Sequence, residues 1–132
     1  MRASCRFLAA SAGAAATLVA MPVVAQPASS LHVIAAERAT GNRVIVVAAG
    51  SASRPASLVL KVTSQPRQQV RGQWLVTCRR GGSSRSTRGT FSGRTVLRRT
   101  LRMPFSTPRR CRVSASAQLG SRGSIRLALL RR

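Results

Sequence analysis

Acidic side chains are almost missing from this sequence. Glu37 is the only one among 132 residues, and aspartate does not occur. Glycoside hydrolysis by paired carboxylates needs two acids, so it is excluded. A Ser-His-Asp triad has no Asp to orient its base, and the single histidine, His32, lies near the start of the chain that remains once a leader is removed. Zinc takes three or four ligands, and beyond residue 25 only Cys78, Cys111, His32 and Glu37 are on offer. The glycines of "TRGTFSG" are followed by neither a helix pattern nor a lysine, so no phosphate loop is present. The expectation is a non-enzymatic protein with no catalytic, cofactor-binding or metal-binding residue.

Aromatic residues are also scarce. Tyrosine is absent, and Trp74, Phe91 and Phe105 are the only aromatics past residue 25. Proteins that hold single-stranded nucleic acid stack bases on such rings. Trp74 and Phe91 both fall on inward positions of their segments, so no specific nucleic-acid partner is expected. Lysine is reduced to Lys61; all the others among the 23 basic residues are arginine.

What is present begins with a leader. In "MRASCRFLAASAGAAATLVAMPVVAQ", Arg2 and Arg6 precede an uncharged, Ala-rich stretch that ends in Val23-Val24-Ala25. That is the layout of a secretory signal peptide, with cleavage expected after Ala25. A retained membrane anchor fits less well, because Ala, Gly and Ser gain little in a bilayer and Pro22 interrupts the segment. Cys5 precedes the apolar stretch, so it cannot be the lipid-modified cysteine of a lipoprotein, and no adjacent arginine pair marks a twin-arginine signal. The expected organisation is a signal peptide at 1–25 and one domain at 26–132, secreted or attached to the cell envelope. The mature chain is expected to have no transmembrane span. Loss of Arg2 and Arg6 takes the net charge from +22 to about +20.

Two cysteines remain, Cys78 and Cys111, and an exported domain normally joins such a pair. The closed loop of roughly 34 residues is worth roughly 3–4 kcal/mol in a chain-entropy model.

Alternation of apolar and polar residues defines the remaining pattern. It is clearest in "VRGQWLVTCR" (70–79) and "RCRVSASAQL" (110–119), and it recurs in "SLVLKVT" (57–63) and "SIRLALL" (124–130). "RVIVVAA" (43–49) is a continuous β-branched run, and "SLHVIAAE" (30–37) is a weaker candidate. Period-two alternation means strands with one buried face. The expected core set is Trp74, Val76, Cys78, Cys111, Val113 and Ala115, with Arg71, Arg79, Arg112 and Ser114 outside. Segments 84–92 and 95–103 read as a hairpin around Ser92-Gly93-Arg94, with Arg99 excused from the core by a bulge or an edge position. Turn residues at Gly41, Pro55, Pro66, Gly81-Gly82, Pro108 and Gly120 give about seven or eight short strands. The expected fold is all-β, a small antiparallel two-sheet sandwich with one inter-strand disulfide.

"CRVSASAQL" (111–119), with its Cys-x-Val-x-Ala spacing, resembles the second-cysteine strand of immunoglobulin-like sandwich domains. The resemblance implies an immunoglobulin-like architecture. Two hallmarks differ: Trp74 precedes Cys78 on the same strand, and Arg109 stands where the family has a tyrosine. The sequence of a cysteine strand, a basic segment and a terminal strand is also similar to small exported proteins of unknown function from high-GC bacteria. That resemblance implies no activity.

The arginines supply the functional expectation. "RRGGSSRSTRG" (79–89) reads as a flexible, solvated connection carrying Arg79, Arg80, Arg85 and Arg88; Arg109, Arg110 and Arg112 flank the second cysteine. If the disulfide joins the two strands, the clusters add into one polyanion-binding patch. The expected partners are anionic envelope polymers or lipid head groups, held without specificity. A cationic antimicrobial or toxin-like protein and a structural adhesion module are the competing readings.

Overall fold

Alternation along each segment is realised as strand. The computed structural model describes residues 30–132. The expected signal peptide lies outside the described residues. The strands, in chain order, are β1 His32–Asn42, β2 Ile45–Ser53, β3 Leu58–Gln65, β4 Gln69–Arg80, β5 Ser83–Arg94, β6 Leu97–Thr100, β7 Arg110–Leu119 and β8 Arg122–Arg131. There is no helix among the described residues.

The pairing has a simple rule. β1 lies beside β8, β2 beside β7, β3 beside β6 and β4 beside β5, always antiparallel. One long hairpin, bent at Gly81-Gly82, has been rolled up. Two further pairings, β3 with β8 and β4 with β7, complete two four-stranded sheets ordered β1-β8-β3-β6 and β2-β7-β4-β5. This sandwich is connected as a jelly roll. Cys78 and Cys111 are bonded and directly opposed on β4 and β7, with 4.0 Å between their Cα atoms. The bond therefore staples neighbours within one sheet, whereas the immunoglobulin disulfide joins the two sheets.

The inner faces meet in one apolar core. Leu58, Leu60 and Val62 of β3 and Ile125, Leu127 and Leu129 of β8 face Val76, Cys78, Cys111, Val113 and Ala115 of the β2 sheet, all buried. Each fully buried aliphatic side chain stabilises the fold by about 1.5–3 kcal/mol. Trp74 packs against this core but is only half-buried. Arg71, Arg79 and Arg112 are exposed, and Ser114 is half-buried. The register expected from the sequence is thus the one observed.

Two glycines opposite aromatic rings explain how an edge strand fits. Trp74 faces Gly89 across β4 and β5, and Gly72 faces Phe91 in the reverse sense. Each ring covers the glycine where a side chain would stand: a Cβ on Gly89 would lie 2.6 Å from the indole, and one on Gly72 would strike both the Phe91 ring and the Ser116 carbonyl. Ring over glycine restores the apolar surface that the missing side chain leaves open.

Two expectations are corrected. Segments 84–92 and 95–103 do not form a hairpin. β5 pairs with β4 in one sheet and β6 with β3 in the other, so the chain crosses between sheets after Arg94. Arg99 stays exposed because β6 is an edge strand in regular register, without a bulge. Nor is "RRGGSSRSTRG" a flexible connection. The turn is Gly81-Gly82 alone, with Arg80 opposite Ser83. Gly81 takes φ +60 and Gly82 does not share the positive sign, the pattern of a II′ turn whose twist matches the strands. Residues 83–89 are strand.

Candidate polyanion interface

Strand pairing decides which arginines meet. Along β4 and β7 every second residue points outward. Arg79 is directly opposite Arg110, and beyond them lie Ser53 on β2 and Ser84 on β5. The next row across the outer face is Ser51, Arg112, Thr77 and Ser86, with a 2.8 Å hydrogen bond between the Thr77 and Ser86 hydroxyls. The third is Ala49, Ser114, Leu75 and Arg88. Arg71 is on the same face toward the other end. Glu37, the one acid, lies on β1 in the other sheet.

Four of the seven arginines singled out from the sequence therefore share this face: Arg79, Arg88, Arg110 and Arg112. Arg109 joins them at its margin, where its backbone N–H donates to the carbonyl of Arg79 at 2.9 Å. Two do not. Arg85 lies opposite Cys78, on the other side of β5, with its guanidinium 5.2 Å from the centre of the Phe105 ring. That contact is a cation–π interaction and holds the loop before β7. Arg80 is at the turn, also out of phase with Arg79. The expected cluster at 79–88 is split because a strand, unlike a loop, sends alternate residues to opposite sides.

Sequence reasoning missed Arg54. Its N–H donates to the Arg109 carbonyl at 2.8 Å, which draws the β2–β3 connection into the same end of the sandwich. Arg131, at the end of β8, reaches the Ser53 carbonyl from the other sheet at 3.1 Å. No local pattern signals either contact; both depend on which strand ends fall together.

Chemically the face combines guanidiniums, hydroxyls and amides with an exposed apolar strip of Ile45, Val47 and Leu75. A shallow groove of about 780 Å³ runs over Val47, Gln73, Trp74, Leu75, Arg88 and Ser116, open to solvent. Guanidiniums bind phosphate and carboxylate oxygens in pairs, and hydroxyls donate to the remaining lone pairs. Like charges placed directly opposite each other, as Arg79 and Arg110 are, destabilise a sheet by up to about 1 kcal/mol. An anion between them removes that cost. Among the described residues no three of His, Cys, Asp and Glu converge, and no helix is long and apolar enough to cross a membrane.

Fold and face together define a basic jelly-roll sandwich with an anion-compatible sheet surface. No family model, curated protein or solved structure matches the chain.

Proposed function

We propose that this is an exported, non-enzymatic protein that associates with anionic cell-envelope polymers or lipid head groups through the outer face of the β2 sheet. The observation that carries the reading is the opposed pair Arg79 and Arg110, with Arg112 and Arg88 in the following rows and no acid on the face. Two arginine clusters far apart in sequence are joined there by the Cys78–Cys111 bond beneath them. The expected leader supports export, and the hydroxyls that flank the arginines supply further donors to an anionic ligand.

The attraction is long-range and screened over about 8 Å at physiological ionic strength. Binding to phosphatidylglycerol vesicles and to a phosphate-bearing wall polymer should fall steeply between about 0.05 and about 0.5 M salt. Replacing Arg79, Arg110 and Arg112 together with serine should weaken both ligands alike, while replacing Lys61, Arg98 and Arg99 of the other sheet should do so less. Equal losses from the two sets would mean that net charge acts without this face and would overturn the assignment.

A further inference from the structure

The opposite side of the sandwich carries a second, more compact arrangement. On the outer face of the β1 sheet, Arg38 of β1 is directly opposite Arg126 of β8, and Arg126 is in turn opposite Thr63 of β3. Opposed side chains in a sheet have Cβ atoms about 4.5–5.5 Å apart, so two guanidiniums share one small region. Glu37 gives them no relief from within this face. It neighbours Arg38 in sequence, and successive strand residues point to opposite sides. A third arginine, Arg67, comes from the β3–β4 connection. It lines with Arg38, Arg126, Thr63 and Ser124 a groove of about 470 Å³.

The rim of this groove is fixed in place. Ser64 donates its hydroxyl to the carbonyl of Pro66 at 2.9 Å, immediately before Arg67. Gln68, immediately after it, clamps the connection to the β7–β8 turn. Its side-chain N–H donates to the Arg122 carbonyl at 3.2 Å, and its side-chain oxygen accepts from the backbone and hydroxyl of Ser121 at 2.9 and 2.8 Å. Thr95, buried, accepts from the Gln68 backbone N–H at 3.3 Å. The connection bearing Arg67 is thus held from both sides. Among the described residues the arginine side chains that donate hydrogen bonds are those of Arg99 and Arg131, so the three guanidiniums here keep their donors for a ligand.

We infer that Arg38, Arg67 and Arg126, with the hydroxyls of Thr63 and Ser124, form a discrete site for one tetrahedral oxyanion, the phosphoryl or sulfuryl group of a ligand. Three forked donors around a groove of this size match the several oxygens of such a group, which a lone carboxylate does not have. The site is separate from the face of the β2 sheet, and it stands or falls independently of the polyanion reading.

The test is titration of the folded protein with inorganic phosphate and, in a second arm, inorganic sulfate, followed by heteronuclear NMR. Saturable shifts confined to the Arg38 and Arg126 side-chain N–H signals and the Thr63 and Ser124 amides are expected. Arg38→Ser and Arg126→Ser should each weaken the binding by about tenfold or more, and Arg126→Lys should weaken it less. Arg79→Ser, on the other sheet, should leave it within about twofold. The Trp74 fluorescence melt confirms that each variant is folded. Shifts spread over arginines on both sheets, or unchanged affinity in folded Arg38→Ser and Arg126→Ser, overturn the site. Binding in one arm alone keeps the site and identifies which oxyanion it takes.

Discussion

At the residue scale, Gly72 and Gly89 set the tolerance of the fold more sharply than any single aliphatic side chain. Both stand on inward positions, but the atoms that fill their missing side-chain space differ. Over Gly89 lies the Trp74 ring, 2.6 Å from a built Cβ, which can swing because it is only half-buried. Over Gly72 lies the Ser116 carbonyl, part of the β7 backbone, which cannot move without breaking the ladder. Gly89→Ala should therefore cost about 1–2 kcal/mol and Gly72→Ala about 3 kcal/mol or more, measured by urea unfolding followed through Trp74. The reverse order would show that the indole is fixed and the β7 backbone yields. Much at this scale is legible in the sequence. Cys78 and Cys111 fall on core phases of two alternating segments, and that phase is what brings their side chains together. Gly72 is legible only as an interruption, since the ring that covers it comes from another strand.

At the scale of the element, five segments with clear alternation or a β-branched run became strands close to where the pattern put them, and the weaker candidate at 30–37 became the longer β1. 110–119 matches β7 residue for residue. Exchange between sheets was not legible. Ser92-Gly93-Arg94 is a turn signal, and a turn signal does not say whether the next strand returns beside the last one or crosses to the facing sheet. The same blindness assigned Arg85 and Arg88 to one cluster, when strand phase sends them to opposite sides. Connections hide another feature: Arg54, between β2 and β3, has φ +48, a left-handed conformation unfavourable for any side chain with a Cβ. Its N–H must stay, because it donates to Arg109. Arg54→Gly keeps the donor and removes the strain, whereas Arg54→Ala removes the same charge and keeps the strain. The glycine variant should exceed the alanine variant in unfolding free energy by about 0.5–1 kcal/mol. Equal stabilities would mean that the connection relaxes in the alanine variant.

For the whole molecule, charge and cross-link oppose each other. The chain carries a net +22 with one acid, and the self-repulsion this creates weakens the compact state at low ionic strength. The Cys78–Cys111 bond offsets it by roughly 3–4 kcal/mol through the loop it closes. Joint replacement of Cys78 and Cys111 by serine should leave a protein that melts well below the parent at about 0.01 M salt and recovers part of the gap at about 0.5 M salt, where repulsion is screened. A gap independent of salt would show that repulsion is a minor cost. The rolled hairpin has a further consequence, for the order of events in folding. Of the four primary pairings only β4–β5 is closed by a two-residue turn; each of the others encloses all the strands within it, and β1–β8 encloses the whole domain. Loop closure costs more as the enclosed length grows, and folds rich in distant pairings form slowly. Loop closure alone therefore favours zipping that starts at Gly81-Gly82 and moves outward to β1 and β8. The pairing that ties the two ends of the sandwich together is thus the one with the longest enclosed loop, and in refolding followed by hydrogen exchange the amides of β4 and β5 should gain protection before those of β1 and β8.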